Sequence, residues 1–202
     1  MLFKTTRSLF RGKYQYKIVL VCSGASVFRN IEDALDKLTK VVINGKHTLR
    51  TIKTQDDLDY ARKVANALSG QTEFDVRVES PWISIYTNDR KLVNNLANID
   101  QSNVKYICEP SSNNLEAGTV VMPKMNYDYR VTLGKTTQPN LPFVEWAEKS
   151  AKCKMTKSCI RDLNKPRSWG GTHFYITGDN NLLMAKMHLG GCIAKVERII
   201  KA

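Results

Sequence analysis

Apolar residues recur along this chain with two periods, near two and near 3.6, and the segments carrying them alternate. Phe74, Val76 and Val78 alternate with Asp75, Arg77 and Glu79, which predicts a strand with one buried face. Just before it, Leu58, Ala61, Val64, Ala65 and Leu68 share one helical face. Thr54, Asp56 and Asp57 open that helix and Gly70 ends it. The same reading along the first half predicts a strand Tyr14 to Cys22 and a helix from an Asn30 cap to about Lys40. A small hairpin about an Asn-Gly turn follows within Val41 to Arg50. Beyond Phe74 to Glu79 come a strand Trp82 to Thr87, a helix Arg90 to Ala97 and a strand Val104 to Cys108. The second half predicts strands at Tyr127 to Leu133, Lys152 to Thr156, His173 to Thr177 and Ile193 to Ile200. Helices fall at Phe143 to Lys149 and about Asn181 to Leu189, the latter stopped by Gly190-Gly191, and Lys157 to Asn164 reads as a basic helical turn or hairpin arm.

The halves echo one another. YDYRVTL at Tyr127 to Leu133 matches YQYKIVL at Tyr14 to Leu20, and Thr177, Asp179 and Leu182 fall where Thr87, Asp89 and Leu92 fall, 90 positions apart. Each half therefore reads β-α-β-β-α-β. The expected fold class is α+β: two tandem ferredoxin-like (βαββαβ) halves with antiparallel four-stranded sheets, the first with an enlarged first crossover. The expected domains are 1-110, with a basic N-terminal arm, and 118-202. A turn-rich linker at 111-117 joins them, and a short strand is expected between Gly118 and Met122.

Charge turns this architecture toward a partner. Thirty-one Lys and Arg face nineteen Asp and Glu, a formal net charge of +12, and self-repulsion of that size is relieved by a polyanion. RNA or single-stranded DNA is the expected partner, with an acidic protein or a homo-oligomer as the alternative. Lys4, Arg7, Arg11, Lys13 and Lys17 come before any acid, an arm suited to phosphates. The five cysteines form no Cys-x-x-Cys pair, so neither a zinc site nor any other metal or cofactor is expected. With no apolar run near the about 20 residues that span a bilayer, and no secretory leader, a cytoplasmic protein without membrane contact is expected.

Two patterns suit nucleic acid. If Ile83 and Ile85 are buried, Trp82, Ser84 and Tyr86 share the opposite sheet face, where Trp82 and Tyr86 can stack on bases. The run Lys149, Lys152, Lys154, Lys157, Arg161, Lys165 and Arg167 contains one acid, Asp162, and leads into Trp169. Bases beside an aromatic suit a phosphate track with one stacking contact.

Catalytic chemistry is sparser. His47, between Lys46 and Arg50, is the candidate general acid/base of a metal-independent endoribonuclease, while Asp89 and Asp179 stand where helix caps belong. Tandem halves, a histidine in the first and Gly190-Gly191 before the last strand resemble, in architecture, the CRISPR repeat-processing endonucleases and their RNA-binding relatives. That resemblance implies RNA as substrate or ligand. The family's glycine-rich loop is longer than Gly190-Gly191, and the expected function is nucleic-acid binding without catalysis. An endoribonuclease, or a structural or interaction subunit of an assembly, are the alternatives.

Overall fold

The first core forms around two central strands. In β2 (Tyr16–Val21) and β4 (Trp82–Thr87), Ile18, Leu20, Ile83 and Ile85 are each fully buried. Each such side chain contributes about 1.5–3 kcal/mol of burial. A computed structural model of the chain describes residues 2–43, 49, 51–112, 115–136, 138–165 and 169–201. Among the described residues it is a mixed α+β structure with two five-stranded sheets and six helices, divided into two compact units, Met1–Asn113 and Asn114–Ala202.

The first unit runs β1 (Phe3–Thr6), β2, a 3-10 turn (Ala25–Arg29), α1 (Ala34–Thr39), α2 (Gln55–Leu68), β3 (Phe74–Glu79), β4, α3 (Arg90–Ile99) and β5 (Val104–Pro110). Its sheet order is β1-β5-β2-β4-β3. The cap of α2 is reciprocal: Thr54 Oγ1 accepts from Asp57 N at 3.1 Å, and Asp57 Oδ2 accepts from Thr54 N at 3.2 Å. Leu58, Ala61, Val64 and Leu68 then face the sheet beside Val93 and Leu96 of α3. Asp89 caps α3, accepting from Lys91 N at 2.7 Å.

The second unit runs β6 (Thr119–Val121), β7 (Tyr129–Leu133), α4 (Leu141–Lys149), β8 (Cys153–Met155), α5 (Lys157–Asn164), β9 (His173–Ile176), α6 (Asp179–Leu189) and β10 (Ile193–Ile200). Its sheet order is β6-β10-β7-β9-β8. Val131, Leu133, Phe174 and Ile176 pack against Phe143, Ala147, Leu163 and Ala185.

Four expectations need correction. The sheets are mixed, not purely antiparallel, because each has a fifth strand: β1 pairs parallel with β5 (Phe3 opposite Ile107) and β6 pairs parallel with β10. The basic arm thus enters the fold as an edge strand, where its backbone groups find partners. The helix expected from Asn30 is interrupted. Asn30 Nδ2 donates to Asp33 Oδ2 at 2.5 Å, and α1 starts only at Ala34. The echo between halves is displaced by one residue on a strand. Lys17 lies opposite Tyr86 and Arg130 opposite Tyr175, so the matching pair is 89 apart, not 90. Gly178 therefore matches Asp89 as the cap. Asp179 is the first residue of α6, and its carboxylate accepts the Tyr129 hydroxyl. The expected hairpin within Val41 to Arg50 lies largely outside the described residues.

Candidate nucleic-acid interface

Strand alternation decides what the helix-free face of the first sheet carries. With Ile18, Leu20, Ile83 and Ile85 turned to the helices, Lys17, Val19 and Val21 of β2 and Trp82, Ser84 and Tyr86 of β4 point the other way. From β5, Tyr106 lies opposite Val19 and Cys108 opposite Lys17. The segment after β1 folds onto this face. Phe10 N donates to Tyr14 O at 2.8 Å, closing a tight loop in which Arg11 takes φ +52° and Gly12 φ +75°. The Phe10 ring lies 5.7 Å from Tyr86 and the Arg11 guanidinium 4.7 Å from it, leaving Tyr86 only 6% exposed.

What results is a surface of rings interleaved with cations. The Lys4 ammonium lies 4.1 Å from the Tyr106 centroid, Lys17 lies 5.4 Å from both Tyr86 and Tyr106, and Lys105 lies 3.4 Å from Trp82. Ring faces attract cations by about 0.5–1 kcal/mol at exposed sites. Burial lowers the Lys17 pKa, but the Tyr106 and Tyr86 hydroxyls beside it outweigh that and hold it above the usual lysine value. The acids of β3 are already engaged: Asp75 by Arg11 at 3.1 Å and Lys13 at 3.8 Å, Glu79 by Arg77 at 2.6 Å. Trp82, at 40% exposure, remains open at one end of the face.

The corresponding face of the second sheet has a different character. Arg130 Nε and Nη2 donate to Glu197 Oε2 at 2.9 and 2.7 Å, and Lys195 Nζ meets Oε1 at 2.7 Å, with Glu197 only 1% exposed. Beside them Tyr127 lies 6.0 Å from Tyr175, and with Met122 and Met125 it covers Val120, Tyr175 and Ile199. His173 stands edge-on to Tyr175 at 5.3 Å. Burial, and then the Arg130 charge, lower its pKa, partly opposed by Glu197.

The basic run is split by its own secondary structure. Lys149 ends α4. Lys154 points from β8 away from the helices, since its neighbours Cys153 and Met155 face the core. Lys157 and Arg161 are exposed on α5, whose Cys159 and Leu163 pack on the opposite, helix-covered side. Lys152 and Lys154 do converge: with Lys124, Tyr127 and Thr177 they line a groove of about 420 Å³ that no carboxylate lines. Lys165 is exposed beyond α5, and Trp169 is 66% exposed. The Trp169 loop is held close to β7, because a Cβ on Gly170 would lie 2.5 Å from the Gly134 backbone. His47 and Arg167 lie outside the described residues.

Sequence reasoning missed Lys105 and Tyr106 of β5 and Lys124. Strict alternation over VKYIC would set Tyr106 with Val104. The register irregularity opposite Val19 and Leu20 turns Val104 to the core with Ile107 and leaves Tyr106 on the other face, so neither this placement nor Lys124 had a signal in the local pattern. Among the described residues no three of His, Cys, Asp or Glu stand where they could hold a metal ion, and no helix is long and apolar enough to cross a membrane. No protein-family model, curated protein or solved structure matches the chain.

Proposed function

We propose that this chain is a nucleic-acid-binding protein for RNA or single-stranded DNA, and that the helix-free face of its first unit is the principal binding surface. The observation that carries the reading is the interleaving of Lys4, Lys17 and Lys105 with Tyr106, Tyr86 and Trp82 on one face, with the local acids already paired. Trp82 offers a base a stacking partner, and Lys105 beside its ring offers the adjoining phosphate a charge. Single strands suit this surface because unpaired bases expose the π-faces that a flat sheet can meet. The groove lined by Lys124, Lys152 and Lys154 in the second unit is a separate surface suited to phosphate.

The fold supports the same reading. Apart from the edge strands β1 and β6, the two sheets run β5-β2-β4-β3 and β10-β7-β9-β8. Helices follow the first and third of these strands in chain order in both units, and the second unit adds α5 between its second and third; the arrangement resembles the ferredoxin-like one, which leaves one sheet face uncovered by helices.

Filter binding of single-stranded oligonucleotides across a salt series tests the proposal. The logarithm of affinity should fall with that of salt, with a slope of about −0.7 per phosphate contacted. Trp82→Ala should weaken binding by about 1–3 kcal/mol with the fold retained by circular dichroism. Absence of binding at low salt overturns the reading, and undiminished affinity in Trp82→Ala removes the stacking role.

A further inference from the structure

Three lysines from separate stretches of the second unit meet at one groove. Lys154 lies on β8, opposite Tyr175 of β9, and Lys152 lies in the turn before it, where its carbonyl accepts from Thr177 N at 2.9 Å. Lys124 comes from the other edge of the sheet. It follows β6, and β6 and β8 are the two edge strands of the order β6-β10-β7-β9-β8. The segment after β6 is laid across the helix-free face. Met122, Met125 and Tyr127 pack on Val120, Tyr175 and Ile199, and Asp128 N donates to Ile176 O at 3.1 Å. That crossing brings Lys124 to Lys152 and Lys154, and Met125, Asn126, Tyr127 and Thr177 join them in lining the groove.

The three charges are uncompensated. Among the described residues none of the three ammonium groups is in an ion pair, and no carboxylate lines the groove. Elsewhere exposed lysines are matched locally, Lys37 by Asp33 and Lys40 by Asp36, each four positions before its partner. On β7 and β10 of the same sheet, Arg130 and Lys195 have Glu197 between them. Like charges gathered in a recess repel one another and concentrate an anion there.

Charge and shape together select the ligand. An internal phosphodiester carries one negative charge, whereas a phosphate monoester carries about −1.5 to −2 at neutral pH and has three terminal oxygens. Three lysines converging from separate segments match the monoester, because each ammonium meets phosphate as a point charge with donors free to turn. The groove has room for more than that group. Its volume of about 420 Å³ falls within the about 300–1,000 Å³ of small-ligand sites, and Tyr127 and Met125 give it an apolar wall. We propose that this groove binds a nucleotide through a terminal phosphate monoester, with Lys124, Lys152 and Lys154 on the phosphate and Tyr127 and Met125 against the nucleoside. A free mononucleotide and the phosphorylated end of a strand both present that group. The site belongs to the second unit, and its occupancy does not require the face of the first.

The test is an NMR titration of the full chain at low salt. The probes are adenosine 5′-monophosphate, inorganic phosphate, and one trinucleotide phosphorylated at its 5′ end, at its 3′ end or at neither. Saturable shifts are expected at the amides of Lys124, Asn126, Lys152, Lys154 and Thr177 with the mononucleotide, with a phosphorylated trinucleotide, or with both. The tightest of these identifies the source as a free nucleotide or a strand end. The amides of Trp82, Lys105 and Tyr106 report the face of the first unit in the same spectra, so the failure of either reading is seen apart from the other. The unphosphorylated trinucleotide should bind the groove about 10-fold more weakly than the tightest probe, the loss of one charged contact. Lys124→Gln and Lys154→Gln, at exposed positions where the fold is retained, should each weaken that probe about 5-fold. Absence of saturable shifts at these amides, equal affinity for the unphosphorylated trinucleotide, inorganic phosphate bound as tightly as the tightest probe, or undiminished affinity in either variant overturns the proposal.

Discussion

Lys17 and Arg130 occupy the same place in the two units, yet they meet opposite surroundings. Each is a cation in the strand after the edge strand, on the helix-free face, with a buried tyrosine on one side: Tyr86 for Lys17 and Tyr175 for Arg130. On the other side Lys17 faces Cys108, whereas Arg130 faces Glu197. That one difference sets the character of each face. In the first unit the cations turn to rings and their charge remains available to an anion. In the second, Glu197 takes up both Arg130 and Lys195, and the neighbouring surface is closed by Met122, Met125 and Tyr127. A shared topology thus supports a proposed binding surface in one unit and an internally neutralised one in the other.

Removing the acid is the largest way to break the comparison. Glu197→Gln leaves Arg130 and Lys195 held together without their counter-charge. The second unit should lose about 2–3 kcal/mol in urea unfolding, toward the lower end because both cations are partly exposed. A loss below about 0.5 kcal/mol would show the network to be energetically idle. Supplying the acid to the first unit is the converse. Cys108→Glu should pair with Lys17 and weaken single-strand binding by about 1 kcal/mol, with a salt slope shallower by about 0.7. Unchanged affinity and slope would remove Lys17 from the interface.

The helix caps sharpen the comparison at a smaller scale. Asp89 and Gly178 hold the same position, but only Asp89 caps with its side chain. Asp89→Ala should cost about 1 kcal/mol by thermal unfolding, and Asp89→Gly, which makes the first unit like the second, only a few tenths. His173 gives the smallest effect, one of pH. Its folded pKa lies below its unfolded value, so the unfolded chain binds more protons as pH falls below about 6.5. Its contribution to stability is therefore present above that pH and is lost on acidification. His173→Gln should flatten the stability profile between pH 7 and pH 5, and an unaltered profile would assign the slope to other groups.

Much of this frame was legible from local pattern. The alternation of Phe74 to Glu79 and the apolar face of Leu58, Ala61, Val64 and Leu68 depend on neighbours a few residues away, and those elements appear where the periods put them. The basic run misleads for the same local reason. Charges adjacent along the chain, such as Lys154 and Lys157, are sent to different sides when a strand gives way to a helix. The one-residue displacement of the echo was also illegible, since similar strings align equally well at 89 or 90. The face that each side chain occupies is settled by pairing across the sheet.

Period, capping residues and net charge were thus carried by the chain alone, because each is a property of short segments or of a sum. Long-range pairing made the rest. It docked the basic arm as β1 beside β5, bringing Lys4 to Tyr106, and it set Glu197 beside Arg130 and Cys108 beside Lys17. These partners are separated by tens of residues or more, and no local propensity encodes which strand becomes the neighbour of which. Only the burial of both apolar strand faces and the pairing of edge backbone groups select that arrangement.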